Sequence, residues 1–120
     1  MAVSAEYNAY ILEMLEPLEG ASIRRMFGGA GVFCHGVMLA LISDERLYFK
    51  VDDQSRPDFE DEGCEQFTYE TKNGKRGLMS YYLAPDYLFD EQDEMVDWAR
   101  SALDAALRAD KKKPKKKKRR

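Results

Sequence analysis

The sequence predicts an α+β fold in two layers, one antiparallel sheet of five to six strands with helices packed on one face. The expected order is helix, three or four strands, helix, two strands, helix. Three observations predict it. Leu47, Phe49 and Val51 alternate with Arg46, Tyr48 and Lys50, the period of a strand with one buried and one wet face. Val37 to Ile42 is apolar at every position, as expected of a central strand covered on both sides. Apolar residues at helical spacing mark both ends of the body, and helices laid on one face of one sheet bury all of these stripes together.

Taken in order, Tyr7, Ile11, Met14, Leu15 and Leu18 fall at helical spacing and predict a helix over about Ser4–Glu16. Ser4 is its expected N-cap, and Pro17 with Gly20 ends it. Ile23–Phe27 reads as a strand entering the sheet. Gly28, Gly29 and Gly31 then allow a tight bend or a bulge. Strands follow over about Gly31–His35, Val37–Ser43 and Arg46–Asp52, with Gly36 and the Asp44-Glu45 pair at the reversals. Pro57 in the first turn after Ser55 or Arg56 predicts a short helix that Gly63 closes. Glu65–Thr71 alternates, Asn73-Gly74 is a strong hairpin signal, and Lys75–Leu83 is the return strand. Pro85-Asp86 breaks that strand. Asp90 is the expected cap of a long helix to about Ala109, with Met95, Trp98, Ala99, Ala102, Leu103, Ala106 and Leu107 as its apolar stripe.

A chain of 120 residues has room for one domain and one modest core. Hydrophobic residues make up 44% of it, which fits a globular body rather than a disordered one. No stretch approaches the roughly 20 apolar residues a membrane span needs, and Met1–Tyr10 has no basic region followed by an apolar run. Two cysteines, Cys34 and Cys64, are too few for a disulfide scaffold and lack zinc-ligand spacing. The expectation is a cytoplasmic, reduced protein with no membrane segment.

The net charge of −3 conceals a sharp division. Lys111 to Arg120 carry nine of the 19 Lys and Arg residues and no acid. Residues 1–110 keep ten basic residues against 22 acidic ones, a balance of −12. The chain therefore divides into an acidic body, 1–109, and a basic tail, 110–120, expected to stay extended. Lys111, Lys112, Lys113, Lys115, Lys116, Lys117, Lys118, Arg119 and Arg120 are candidate nucleic-acid contacts through counterion release. Solubility, or a loose return of the tail onto the acidic body, are the competing readings.

No residue pattern declares a reaction. His35 is the only histidine, and as a neighbour of Cys34 on a strand it would face the other way, so it reads as a strand-end or turn residue. Cys34 and Cys64 read as small buried hydrophobes. Gly28-Gly29-Ala30-Gly31 joins strand to strand, where phosphate loops need a following helix N-terminus. The carboxylates at Asp58, Glu60, Asp61 and Glu62, and from Asp90 to Asp97, read as solvated helix faces. Arg24, Arg46, Tyr48 and Lys50, with Lys75, Arg76 and Tyr82, could form one basic and aromatic sheet face of the kind that stacks bases, but the acidic body opposes a polyanion, and the ordinary reading is the wet face of a half-buried sheet. The expectation is a non-enzyme with no cofactor and no metal.

Arg25-Met26-Phe27-Gly28-Gly29, followed by Gly36-Val37-Met38 and Leu47-Tyr48-Phe49-Lys50, resembles the N-terminal domain of the TfoX/Sxy family. Arg56-Pro57-Asp58-Phe59, Phe67-Thr68-Tyr69, Met79-Ser80-Tyr81-Tyr82, Pro85 and Trp98-Ala99 extend the likeness in order over roughly residues 5–109. The resemblance implies an α+β fold like that of type III secretion chaperones, which bind protein partners and often dimerise. It implies no catalytic residues. The family's best-known members regulate natural competence with the cyclic-AMP receptor protein and carry a second, C-terminal domain, where this chain continues into the lysine-rich arm. The expected role is thus a bacterial regulatory domain acting through protein contacts. Phe27, Gly28, Gly29, Tyr48 and Tyr82 are its candidate contact residues, a protein of the transcription machinery or a regulator is its expected partner, and a homodimer is a further expectation. The alternative is non-specific nucleic-acid association through the tail.

Overall fold

The computed structural model describes residues 5–26 and 29–112. It is an α+β fold built on one six-stranded antiparallel sheet, with helices on one face. The helix α1 spans Ala5–Met14 and stops short of Pro17, whose ring disfavours helical geometry at the residue before it. Strands β1 (Ser22–Met26), β2 (Gly29–Cys34), β3 (Val37–Ser43) and β4 (Arg46–Lys50) follow as consecutive hairpins. Helix α2 spans Arg56–Asp61, with Ser55 at its N-cap and Pro57 in its first turn. The hairpin of β5 (Gln66–Thr71) and β6 (Gly74–Leu83) comes next, then a 3-10 turn at Asp86–Asp90 and helix α3, Gln92–Lys112.

The strand order is β1-β2-β3-β4-β6-β5, so β3 and β4 are interior, as their apolar content requires. Both of their connecting turns are two residues long. Cys34 pairs with Val37 across His35 and Gly36, and Ser43 pairs with Arg46 across Asp44 and Glu45. All four turn residues have positive φ, at 53°, 83°, 53° and 57°, the type I′ geometry that matches the twist of paired strands. At the β5–β6 hairpin Thr71 pairs with Gly74, and the positive φ, 107°, falls on Gly74 alone.

The pairing register sorts the side chains into two faces. Ala30 and Val32 of β2 lie beside Ile42 and Ala40 of β3, which lie beside Leu47 and Phe49 of β4, and all six are buried. With Ile11, Leu15 and Leu18 near the N-terminus, Phe59 of α2, and Met95, Ala99, Ala102 and Leu103 of α3, they form one continuous core. A register shift between Val32 and Phe33 sets Phe33 opposite Met38 and leaves Leu39 as the extra residue of a β-bulge. Leu39 is fully buried. The unbroken apolar run of β3 thus has a specific origin: the bulge turns Leu39 inward beside Ala40, while Met38 and Leu41 lie on the second face and are half-buried there.

Several boundaries differ from those the sequence suggests. Strand β2 begins at Gly29 and takes in Gly29 and Gly31, where a bend or bulge was expected. Strand β4 ends at Lys50 rather than Asp52, and α1 ends at Met14 rather than Glu16. Asp90 does not cap α3. It ends the 3-10 turn, and the Glu91 carbonyl accepts the first helical bond, from the Met95 N–H at 2.9 Å. At the other end α3 runs to Lys112, so Asp110, Lys111 and Lys112 are helical. The expected N-cap, Ser4, lies outside the described residues.

Candidate functional site

The second face of the sheet is assembled by strand alternation. Arg24 of β1 pairs with Gly31 of β2, Gly31 with Leu41 of β3, and Leu41 with Tyr48 of β4. Arg46 and Lys50 share this face with Tyr48. Tyr48 meets Phe67 of β5 edge-on, ring centroids 4.9 Å apart. The Arg24 guanidinium lies 4.5 Å over the Phe33 ring, and the Lys50 ammonium 5.3 Å from the Tyr81 ring. A Cβ on Gly31 would meet Met38 Sδ, Phe33 Cε1 and Met26 Sδ at 2.6, 3.0 and 3.1 Å, so these side chains fold into the space the glycine leaves. Aromatic rings, thioethers and cations occupy this face; Tyr81 is buried there, while Phe33, Met38, Leu41, Tyr48 and Lys50 are half-buried and Arg24 and Arg46 are exposed. Thioethers are adaptable packing partners, and cations gain from lying over aromatic rings.

Of the contact residues the sequence suggested, Tyr48 lies on this face and Tyr82 does not. Tyr82 pairs with Phe49, is 7% exposed, and packs on Phe59 at a centroid distance of 6.1 Å. It is a core residue. The alternation of β6 permitted either reading, because Tyr81 and Tyr82 offer an aromatic ring to both sides. Gly29 is half-buried, and a Cβ there would run into the Ile42 carbonyl oxygen, so the close pairing of β2 with β3 requires it. Phe27 and Gly28 lie outside the described residues, as do Lys113, Lys115, Lys116, Lys117, Lys118, Arg119 and Arg120. Lys111 and Lys112 form the last turn of α3.

The groups able to carry chemistry stand in different surroundings. His35 is exposed at the apex of its turn with φ 53°. Cys34 points into the core, where its thiol donates to the Glu19 carbonyl at 3.3 Å, and burial raises its pKa. Cys64 lines an open cleft of about 460 Å3 with Tyr7, Leu83, Pro85, Phe89, Glu45, Glu62, Glu65 and Asp86. Burial, then Glu62 and Asp86, push its pKa up to about 11. Burial, then Glu45, push Tyr7 up to about 12. Both groups are therefore protonated at neutral pH and are not poised as nucleophile or base. Among the described residues, no group of three His, Cys, Asp or Glu side chains is placed to hold a metal ion. None of their helices is long and apolar enough to cross a membrane.

Two features were not visible in the sequence. One is a second cleft, of about 400 Å3, where Asp58, Asp61, Glu62 and Asp97 surround Trp98, Phe59 and Ser101. The other is an ion pair between Arg108 and Asp52. The carboxylates of the cleft read singly as solvated helix faces, and the only hint that they converge on an aromatic wall was Asp97 standing next to Trp98.

A single antiparallel sheet with helices on one face and an aromatic, cation-bearing second face defines the architecture, and its ordered motifs define the family. The chain belongs to the TfoX N-terminal domain family, whose profile matches residues 13–106. It is similar to DNA transformation protein TfoX1 of Aliivibrio fischeri, with 41% identity over 49 residues. The similar segment is 41% of this chain and 23% of that relative, so the chain matches less than a quarter of the relative's length.

Proposed function

We propose that this chain is a non-enzymatic regulatory domain of DNA transformation, the process for which its relative is named, and that it acts in the cytoplasm by binding a protein of the transcription machinery or one of its regulators. Family membership over residues 13–106 carries the role. The second sheet face supports the mode of action. Phe33, Met38, Leu41 and Tyr48 give it apolar area, and Arg24 and Arg46 give it a charged margin, a combination suited to protein contact. Gly29 shapes the strand pairing beneath this surface, and Phe27 and Gly28 complete the proposed contact set from the sequence.

Affinity purification from a bacterial lysate tests this reading, comparing the chain with its Leu41→Asp and Tyr48→Asp variants. The chain is expected to retain RNA polymerase or a transcriptional regulator, and the variants to lose it while remaining folded by circular dichroism. Equal recovery by chain and variants would discard the sheet face as the contact.

A second reading, association with nucleic acid through Lys111 to Arg120, is favoured by the concentration of nine cations in ten residues. Such binding falls steeply with salt. Ending the chain at Asp110 is expected to abolish DNA retention at low salt. Retention that survives the deletion removes the tail as its source.

A further inference from the structure

The residues after α3, Lys113 to Arg120, read KPKKKKRR, with seven basic side chains in eight positions. A surface of opposite charge lies on the same helix. Asp97 of α3 and Asp58 and Asp61 of α2, with Glu62 just beyond it, ring the cleft of about 400 Å3 whose wall is Trp98. Trp98 meets Phe59 edge-on, centroids 4.7 Å apart and planes at 87°, and its half-buried indole lines the cleft. Glu62 also lines the 460 Å3 cleft that carries Glu45, Glu65 and Asp86. Glu62 therefore stands between two clefts, each lined by carboxylates and by at least one aromatic ring. Indole is the strongest aromatic partner for an ammonium or guanidinium group, and carboxylates at its margin supply the counter-charge.

We propose that the Trp98 cleft seats the basic segment 113–120 of its own chain. The reach is sufficient. Trp98 lies about 21 Å back along α3 from Lys112 at the rise of an α-helix, and eight residues extend up to roughly 27 Å. Pro114 opposes continuation of the helix, and a segment reversing there passes the exposed Asp104 before reaching Ser101, Asp97 and Asp58. The Arg and Lys residues at 118–120 are the ones this length brings to the indole. Occupancy of the cleft would hold the arm away from other polyanions. That competition, unlike the docking, rests on the arm's attraction for nucleic acid.

Trp98 is the single tryptophan of the chain, so its fluorescence reads the cleft directly. The experiment compares the full chain, a chain ending at Lys112, and the full chain carrying Asp58→Asn, Asp61→Asn and Asp97→Asn. At low ionic strength the truncated and substituted chains are expected to share an emission distinct from that of the full chain. The difference should vanish at about 1 M salt, where the screening length falls to about 3 Å. Synthetic KPKKKKRR added to the truncated chain should restore the full-chain emission, and should leave the truncated chain unchanged when it also carries the three substitutions. Identical emission from full and truncated chains at low salt overturns the proposal. So does an emission that changes with protein concentration, which would assign the cleft to the arm of a second copy. For the competition, the substituted full chain is expected to retain DNA about tenfold more tightly than the unsubstituted one. Equal retention removes the competition, while the emission comparison decides the docking by itself.

Discussion

Arg108 grips Asp52 with two parallel bonds, Nε to Oδ2 at 2.6 Å and Nη2 to Oδ1 at 2.9 Å. The pair spans 56 positions in the sequence and fastens the C-terminal half of α3 to the link between β4 and α2. The same Asp52 Oδ1 accepts the N–H groups of Gln54 and Ser55, each at 3.1 Å, and the Ser55 hydroxyl at 3.3 Å. The Asp52 N–H in turn donates to Ser55 Oγ at 3.1 Å. One carboxylate therefore closes the turn that starts α2 and anchors the helix above it. Bidentate geometry of this kind makes the stronger class of ion pair.

The Arg108 guanidinium, chiefly through its hydrogen bonds, holds the Asp52 carboxyl well below the usual carboxylate range. A pKa lower in the folded than in the unfolded chain contributes stability that is present above the unfolded value, near 4, and is lost as pH falls through the folded value. Asp52→Asn should therefore cost about 1–2 kcal/mol at pH 7, given that both side chains keep partial access to water. The gap between chain and variant should shrink steadily below pH 4. Urea unfolding at pH 7, 4 and 2.5 measures it, and a gap that stays constant with pH would contradict the assigned role of the charge.

Asp44 and Glu45 hold φ of 53° and 57° without the asparagine or glycine that such turns favour. A residue with a Cβ is strained in this region, whereas Asn-Gly adopts it readily. The double substitution Asp44→Asn with Glu45→Gly is expected to raise stability by about 0.5–1 kcal/mol, after the extra freedom of glycine in the unfolded chain is counted. The melting temperature should rise by about 3–5 °C. Thermal unfolding followed by circular dichroism measures it, and an unchanged or lower midpoint would contradict the strain assigned to this turn.

Gly29 and Gly31 look equivalent in the sequence and are not so in the fold. A Cβ on Gly29 meets the Ile42 carbonyl oxygen of the neighbouring strand, and backbone in mid-sheet has nowhere to move. Gly29→Ala is expected to cost about 2–3 kcal/mol by forcing β2 from β3. A Cβ on Gly31 meets the ends of Met38 and Met26 and the edge of Phe33, and thioether side chains can swing aside. Gly31→Ala should cost less than about 1 kcal/mol. Chemical denaturation of both variants checks the order, and a reversed order would contradict this account of the glycine-rich stretch.

The strands and reversals were legible because each rests on local chemistry. The alternation through Leu47 and Phe49 marks the buried face of β4, and Gly36 and the polar Asp44-Glu45 pair mark the chain reversals. Features made by distant residues were not legible. Leu39 joins the core through a bulge that no local pattern announces. Tyr82 reads as a wet-face residue because β6 carries apolar residues on both sides, and only its pairing with Phe49 settles its direction. Asp90 has the chemistry of a helix cap, yet the 3-10 turn ahead of α3 moves the helix start past it. Asp52 with Arg108, and Trp98 with the carboxylates of α2, are meetings created by the packing of α3 on the sheet.

Cys64 offers a chemical probe of the larger acidic cleft. Its thiol is pushed up to about 11 by burial first and then by Glu62 and Asp86. At pH 8 a thiol at the ordinary value of 9.0 is ionised to the extent of about one part in ten, and one raised to about 11 to about one part in a thousand. The basic thiolate is intrinsically more nucleophilic, which recovers about a factor of ten of that hundredfold deficit. Alkylation of Cys64 by iodoacetamide at pH 8 should thus run about tenfold slower than that of a free thiol, and its rate should keep rising through about pH 11, where half of the thiol is ionised. Cys34, 1% exposed and bonded to the Glu19 carbonyl, should label only on unfolding. Glu62→Gln removes one of the two carboxylates facing Cys64, so it should speed labelling of Cys64 and leave Cys34 unchanged. Mass spectrometry of timed digests separates the two sites. Labelling of Cys64 at the rate of a free thiol, with no response to Glu62→Gln, would show that the cleft does not impose the negative field that its lining implies.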